Sequence, residues 1–458
     1  MARYQQLNPL DYMFFVGNEV RKRLGLPGVN IQLLLELGAP LDLAGFQRAL
    51  AGLHRLYPAT AARLERAAVS GRPRWRLDVE PDLRRAVHVR RLSPGTPEEL
   101  HLQSERLLRG RLDAEQGPAL QFHLFRGLAQ GDVLVMRWPH ALMDARGGMI
   151  LLEELQRLYE EKPDPGSLTS VGDELRDDVA ELIAELSPLE RMRTLLGGAL
   201  GKLPADWEDA RLGRGPVVND GRGLHYLVRR LGVEQVQQVR DASMRMCGFA
   251  RMGDYVRACA IQALHHTIPQ PLPPQVGYST RQLVDNRKRR QRAPVCHNFF
   301  SALPVYVPAA IADDRRATAD MISESTAQAL ASGLIARRYA AMERMSRVPM
   351  SIMAALMARA LRADPRSLLA RGLGNAPSLP MGFLGSFSRP LPAFCGAQWL
   401  DSYGIGVILP HEGFGLNLTT PNDPDRLNVT ATYFEPRVTR AVMSSFLDRF
   451  VEALMDPG

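Results

Sequence analysis

The sequence predicts an α/β fold with mixed sheets, divided between two domains. Short apolar or alternating segments, typical of β-strands, are interspersed with longer segments in which apolar residues recur at helical spacing. The two kinds of segment do not alternate strictly as in a Rossmann fold, which indicates mixed sheets. With 458 residues, 45% of them apolar, the chain can bury a core in each of two domains.

The first predicted domain spans residues 1–185. Residues 30–37 (NIQLLLEL) have the pattern of a strand, and Asp42 is placed to cap a helix in which Phe46 and Leu50 share one face. Further strands are predicted at 74–79, 120–128 and 132–138, and further helices at 98–112 and 147–161.

Residues 186–214 are predicted to be a crossover linker, in a region rich in Pro, Gly and charge, and residues 215–458 to be the second domain. In that domain the predicted strands are 225–231, 275–281, 298–307, 382–387, 403–410, 413–420 and 426–434. The predicted helices are 233–247, 254–266, several between 313 and 372, and 438–455.

Composition excludes several classes of protein. The 57 basic and 49 acidic residues give a net charge of +8, and no aromatic-interleaved basic stripe accompanies it, so no nucleic-acid partner is predicted. Cys247, Cys259, Cys296 and Cys395 form no C-x-x-C pair, and no metal site is predicted. The N-terminus lacks the layout of a signal peptide, and no apolar run approaches the ~18 residues of a membrane span. We therefore expect a cytoplasmic, soluble protein.

RWPHALMDARGG, residues 137–148, is the segment with the clearest functional pattern. His140 follows a buried strand and precedes Asp144 by four residues. A neutral imidazole at a strand end, where a crevice can form, is able to take a proton from a hydroxyl or an amine. Gly147 and Gly148 would let a substrate approach backbone N–H groups at the helix start. From the spacing alone, the alternative is a loop histidine beside a capping or ion-paired aspartate.

This segment resembles the active-site motif H-H-x-x-x-D-G of a large acyltransferase superfamily. Its members include chloramphenicol acetyltransferase, peptide-synthetase condensation domains, polyketide-associated acyltransferases and bacterial wax-ester synthases. His140 and Asp144 match the second His and the Asp of the motif, while Pro139 replaces the first His and Ala145 the final Gly. In this superfamily the second His is the base.

The resemblance extends along nearly the whole chain. LNPLDYMFF is similar to the start of free-standing members, and APLDLAGFQ to their first helix. YSTRQLVDNR and HNFFSALPV resemble the segment in which an Arg ends a strand and an Asn-bearing turn follows. The match implies that Arg281 pairs with Asp144, with Arg287 as second candidate, and that Asn298 is the turn Asn. Gly385 would lie in a small-residue strand near the substrate tunnel.

The resemblance implies two chloramphenicol-acetyltransferase-like domains, arranged as a V-shaped pseudo-dimer around a central channel. It also implies an acyltransferase without a tightly bound cofactor. The acyl group would move from acyl-CoA, or from the phosphopantetheine arm of an acyl or peptidyl carrier protein, to a hydroxyl or amine. His140 would be the general base, and Asp144 would hold the loop. Because Pro139 and Ala145 depart from the motif, the alternative is a catalytically inactive condensation-like protein that binds a carrier or partner.

Two other segments have both an ordinary and a functional interpretation. The basic run 286–292, which contains Arg287, Lys288, Arg289 and Arg290, could meet donor phosphates or an acidic carrier surface, or be a solvated loop. The Met-rich segment 342–361 could line an acyl cavity or touch a membrane peripherally, as in a lipid-surface wax-ester or glycolipid acyltransferase. Core packing is the commoner explanation for such a helix.

Overall fold

The computed structural model describes residues 3–67, 71–170, 177–194, 207–213, 223–273, 275–287, 297–360, 377–383, 391–406, 408, 412–420 and 423–456. Within these ranges the helices are α1 (Pro9–Arg23), α2 (Leu43–Leu56), α3 (Leu83–Ala86), α4 (Pro97–Arg109), α5 (Ala145–Glu161), α6 (Asp177–Ala184), α7 (Pro188–Arg193), α8 (Val233–Cys247), α9 (Met252–Thr267), α10 (Arg315–Ala331), α11 (Leu334–Met345), α12 (Met350–Ala360) and α13 (Arg440–Met455). The strands are β1 (Tyr4–Gln6), β2 (Asn30–Leu37), β3 (Arg63–Arg66), β4 (Pro73–Arg76), β5 (Val87–Arg91), β6 (Gln121–Leu128), β7 (Gly131–Pro139), β8 (Glu208–Asp209), β9 (Leu224–Leu231), β10 (Val276–Asp285), β11 (Phe300–Pro308), β12 (Met381–Phe383), β13 (Ala393–Phe394), β14 (Ala397–Gly406), β15 (Phe414–Thr419) and β16 (Leu427–Phe434).

The first lobe is built on a six-stranded mixed sheet with the order β13-β14-β2-β7-β6-β5. Strand β2 is buried along its whole length because both of its faces are covered. Its odd-numbered residues, such as Leu33 and Leu35, pack in the core with α2 and α5, whereas Leu34 faces the second lobe. Asp42 caps α2 by accepting the Gly45 N–H, as predicted.

The second lobe contains a four-stranded sheet, β12-β15-β16-β9, and a three-stranded sheet, β11-β10-β8. Helices α8, α9, α10 and α13 pack together beside them. Tyr255, Leu416 and Phe446 lie fully buried in this second core. The mixed sheets of the two lobes confirm the predicted α/β class.

The two lobes are not simple halves of the sequence. Strands β13 and β14 come from the predicted second domain, yet β14 pairs antiparallel with β2 in the sheet of the first lobe, with Tyr403 opposite Leu34. Helix α12 also packs against α1, and its Met350 and Met353 are buried in the first core. The boundaries predicted at 185 and 215 stay a prediction, but residues 393–406 must be assigned to the sheet of the first lobe.

Most predicted elements are present within a few residues of the predicted bounds. Among the elements not predicted from the sequence are the short β1, β3, α3, β5, α6, β8 and β13, and the longer helix α1. Its start is marked by a capping box in which the Asn8 side chain accepts the Asp11 N–H and Asp11 accepts the Asn8 N–H. Helices were predicted between residues 313 and 372, and the last part of this region, residues 361–372, lies outside the described residues. In the part of the chain that the structure describes, no helix combines the length and apolarity needed to cross a bilayer.

Charged side chains join the lobes at several places, and two of these, away from the histidine loop, involve β9. Arg230 of β9 reaches across to Glu36 at 2.5 Å and to Asp401 at 3.0 Å. The second place is Glu105 of α4, whose carboxylate accepts from Arg109 at 2.7 Å and from the Tyr226 N–H of β9 at 3.4 Å.

Two histidines complete the surroundings of Glu105. His101 Nε2 lies 3.2 Å and His225 Nδ1 3.0 Å from the carboxylate. Burial alone would raise the pKa of Glu105, but the two histidines lower it to about 2. The carboxylate therefore stays ionised at the junction of the lobes.

Replacing this buried carboxylate with an uncharged amide should weaken the junction of the lobes. We expect Glu105→Gln to lower the free energy of unfolding by about 1–3 kcal/mol at pH 7, measured by urea denaturation. The usual carboxyl pKa of 4.5 exceeds the folded-state value, so the difference from wild type should shrink as the pH falls from about 5 toward 2. The exposed Glu98→Gln is the matched control on the same helix. Equal effects of the two substitutions would contradict this assignment.

Candidate active site

His140 stands directly after β7, where the backbone leaves the first sheet. Its N–H donates to Val29 O at 2.8 Å, which continues the pairing of β7 with β2 by one residue. The loop that follows is anchored by the buried Trp138, whose Nε1–H donates to Met143 O at 3.0 Å. The sequence places the imidazole at a strand end, and the loop holds it there.

The imidazole is held on one face and at one nitrogen. Phe14 of α1 stacks on the ring with centroids 3.6 Å apart and planes 13° from parallel. His140 Nδ1 lies 2.9 Å from Asn298 Oδ1. The Asn298 amide group donates through Nδ2 to His140 O at 2.5 Å, so its oxygen faces the ring and accepts from Nδ1–H. The proton then resides on Nδ1, and Nε2 carries the lone pair.

Asp144 does not contact the imidazole. It is the N-cap of α5, and its carboxylate accepts the Gly147 N–H at 2.8 Å and the Phe299 N–H at 3.0 Å. Arg287 Nη2 donates to both of its oxygens, at 2.9 and 3.1 Å, and the two side chains are 8% and 9% exposed. The carboxylate thus ties the histidine loop to the second lobe.

The pairing of Asp144 corrects the first choice made from the sequence. Arg287, the second candidate, forms the ion pair, whereas Arg281 is exposed and lines the adjoining cavity. Arg287 was also a candidate for donor phosphates. Its guanidinium instead binds Asp144, Asp285 and the backbone oxygen of His297. Lys288, Arg289 and Arg290 lie outside the described residues.

The glycine pair serves the helix start rather than a substrate. The Gly147 N–H is used by the Asp144 cap, and the Gly148 N–H donates to Asp144 O at 3.1 Å. A Cβ on Gly148 would lie 2.7 Å from the Trp138 ring, so glycine is required there by packing. Neither residue lines the cavity beside His140, which corrects the expected substrate contact. Gly385 lies outside the described residues.

A cavity of about 640 Å³ opens beside His140 between the two lobes. This volume is within the roughly 300–1,000 Å³ typical of small-molecule pockets. Its apolar lining consists of Ile31, Leu283, Phe300, Pro377, Pro380, Met381, Phe383, Ile405, Ile408 and Leu416. Charged side chains also line it, namely Asp144, Arg146, Arg281, Asp285, Arg287 and Glu412. His140 is a half-buried residue and lines this cavity, so it is not sealed in the interior.

The surroundings keep the imidazole neutral. Burial lowers the pKa of His140 below its usual value of 6.5, and this outweighs the raising effects of its own backbone, Asp144 and Asn298. At neutral pH the ring is therefore unprotonated at one nitrogen, which is the state that a general base requires.

The contribution of α1 to the site was not predicted from the sequence. Phe14 supplies the stacking face, and Asp11 accepts from the Asn298 side chain at 2.6 Å. The N-x-x-D spacing of Asn8 and Asp11 was the local signal for a helix start. No local pattern indicates that this helix start meets a turn almost 300 residues later in the chain.

Comparison with known proteins places this site in context. The sequence profile of the wax ester synthase/diacylglycerol acyltransferase catalytic domain matches residues 7–212, a range that includes His140 and Asp144. No curated protein matches the chain by sequence.

Solved structures share the fold over nearly the full length of the chain. The first condensation domain of the CDA synthetase has a TM-score of 0.70 at 18% identity, covering 99% of this chain and 96% of that one. A mutant starter condensation domain of rhizomide synthetase, in complex with C8-CoA and Leu-SNAC, has a TM-score of 0.65 at 14% identity, covering 99% and 94%. The trichothecene 15-O-acetyltransferase of Fusarium sporotrichioides has a TM-score of 0.65 at 13% identity, covering 98% and 95%. The profile match over residues 7–212 and the shared fold agree with the resemblance seen in the sequence: that part of the chain is similar to the wax ester synthase/diacylglycerol acyltransferase catalytic domain, and the chain shares its fold with condensation domains and with the trichothecene acetyltransferase.

The two arginines of this region should differ sharply in their effect on stability. Arg287→Met leaves the buried Asp144 carboxylate without its cation and should lower the free energy of unfolding by about 3–5 kcal/mol. Arg281→Met, an exposed matched control six residues earlier, should change it by less than about 0.5 kcal/mol. Urea denaturation of both variants checks this. Comparable losses would mean that the ion pair does not hold the loop.

Proposed function

We propose that the protein is an acyltransferase in which His140 is the general base. An acyl group moves from a thioester, on coenzyme A or on the phosphopantetheine arm of a carrier protein, to a hydroxyl or amine, forming an ester or amide. The observation that carries the proposal is a neutral imidazole in the wall of an interlobe cavity, with Nδ1 bound to Asn298 and the lone pair on Nε2.

The reaction balances without a covalent acyl-enzyme. His140 Nε2 takes the proton of the acceptor as its oxygen or nitrogen attacks the thioester carbonyl. The tetrahedral intermediate collapses with cleavage of the C–S bond, and the imidazolium returns the proton to the thiolate. The enzyme ends in its starting state, and the products are the ester or amide and a free thiol.

The cavity supports this chemistry in two ways. Its apolar lining suits an acyl chain, because such side chains gain free energy by excluding water. Helix α5 begins beside His140, and Ala145 and Arg146 of its first turn also line the cavity. The positive end of that helix favours the negative charge that develops on the thioester oxygen.

Removing the imidazole should remove the rate enhancement due to the base. We expect His140→Ala to lower kcat for thiol release by about 10²–10⁴-fold, measured with a panel of acyl-CoAs or acyl carrier proteins and alcohol or amine acceptors. In the wild type, kcat/KM should rise with pH through a pKa below 6.5 and then level, because the lowered pKa of His140 governs the active form.

The exposed His266→Ala is the matched control and should leave the rate unchanged. If His140→Ala keeps the full rate with any donor that the wild type uses, the assignment of the base is wrong. If no donor releases a thiol but the folded protein captures carrier proteins, the inactive carrier-binding alternative replaces the enzyme.

A further inference from the structure

Asp11 is a buried acidic side chain whose contacts go beyond capping α1. Its Oδ2 closes the capping box by accepting the Asn8 N–H at 3.3 Å. Its Oδ1 points across the lobe junction instead, and the residue is 4% exposed. There it accepts two hydrogen bonds from Asn298, one from the side-chain Nδ2 at 2.6 Å and one from the backbone N–H at 3.2 Å.

These contacts determine which way round the Asn298 amide lies. Its NH2 group faces two acceptors, Asp11 Oδ1 and His140 O, so its oxygen must face His140 Nδ1. A rotation of the amide by half a turn would place an oxygen against both acceptors and an NH2 group against the ring. That arrangement would move the imidazole proton to Nε2 and leave no lone pair there.

We propose that Asp11 is a positioning residue that, through the amide of Asn298, keeps the proton of His140 on Nδ1 and the lone pair on Nε2. The effect on rate rests on the proposed function, whereas the effect on the imidazole does not. With Asp11 removed, His140 O is the acceptor among the described residues that still opposes rotation of the amide. The opposite tautomer then becomes accessible.

The proposal does not depend on the charge of Asp11. Burial raises the pKa of Asp11 well above its usual value, although the N–H donors of Asn298 and Asn8 oppose this. Oδ1 can accept the two hydrogen bonds whether or not the other oxygen carries a proton. Asp11→Asn can present the same acceptor, whereas Asp11→Ala cannot.

The direct test is the ring nitrogen spectrum of His140 in the full-length protein labelled with [15N]histidine. Ten histidines are present, and the His140→Gln spectrum identifies the signals of His140. Protonated and unprotonated ring nitrogens differ strongly in 15N shift. We expect the Nδ1–H form in the wild type and in Asp11→Asn, and a mixed or Nε2–H form in Asp11→Ala and Asn298→Ala. In the acyl-transfer assay kcat of Asp11→Ala should fall about 10–100-fold with little change in KM, the range for outer partners that orient metal-bound imidazoles.

Asn8→Ala is the control for a purely structural role. It removes the α1 cap and the bond from Asn8 Nδ2 to Asn298 O, but it does not touch the Asn298 amide group. It should lower stability while leaving the His140 tautomer unchanged. The proposal is overturned if wild-type His140 carries its proton on Nε2, a result that needs no variant to fold. It is also overturned if Asn298→Ala or a folded Asp11→Ala keeps the pure Nδ1–H form. If the wild type releases no thiol from any donor, only the proposed function is contradicted. The proposal for Asp11 is still tested, because the 15N spectra of His140 do not require turnover.

Discussion

Two buried carboxylates of the first lobe accept consecutive backbone N–H groups of the second, and the candidate site depends on this clasp. Asp11 accepts from Asn298 at 3.2 Å, and Asp144 accepts from Phe299 at 3.0 Å. Burying a carboxylate is costly unless its oxygens are satisfied, so these donors and Arg287 are required for the lobes to close in this way. The environment of His140 therefore exists only where the two lobes meet.

In this clasp, the residue that holds the histidine loop differs from the residue that bonds to the imidazole. Asp144 fixes the loop without touching the ring, and the hydrogen bond from the ring goes to Asn298 in the other lobe. The nitrogen with the lone pair is then the one not occupied by Asn298. Because residues of both lobes also line the cavity, any change in their relative position alters the base and its substrate space together.

Local patterns predicted most of the fold, since strands such as β2 and caps such as Asp42 depend on neighbours in sequence. Hydrophobic alternation could not distinguish Arg281 from Arg287, because the two residues are an even number apart and fall on the same face of an extended chain. Which of the two arginines pairs with Asp144 depends on the path of the chain after β10. The contact of Asp11 with Asn298 and the pairing of β14 with β2 join distant segments, and no local pattern encodes them.

Amide hydrogen exchange at single-residue resolution tests the clasp most directly. Asn298 and Phe299 precede the first residue of β11, so their N–H groups have no partner within that strand. The account predicts that both exchange as slowly as the central amides of β2 and β7, opening only when the lobes separate. Rapid exchange at these two positions, with β2 and β7 still protected, would contradict it.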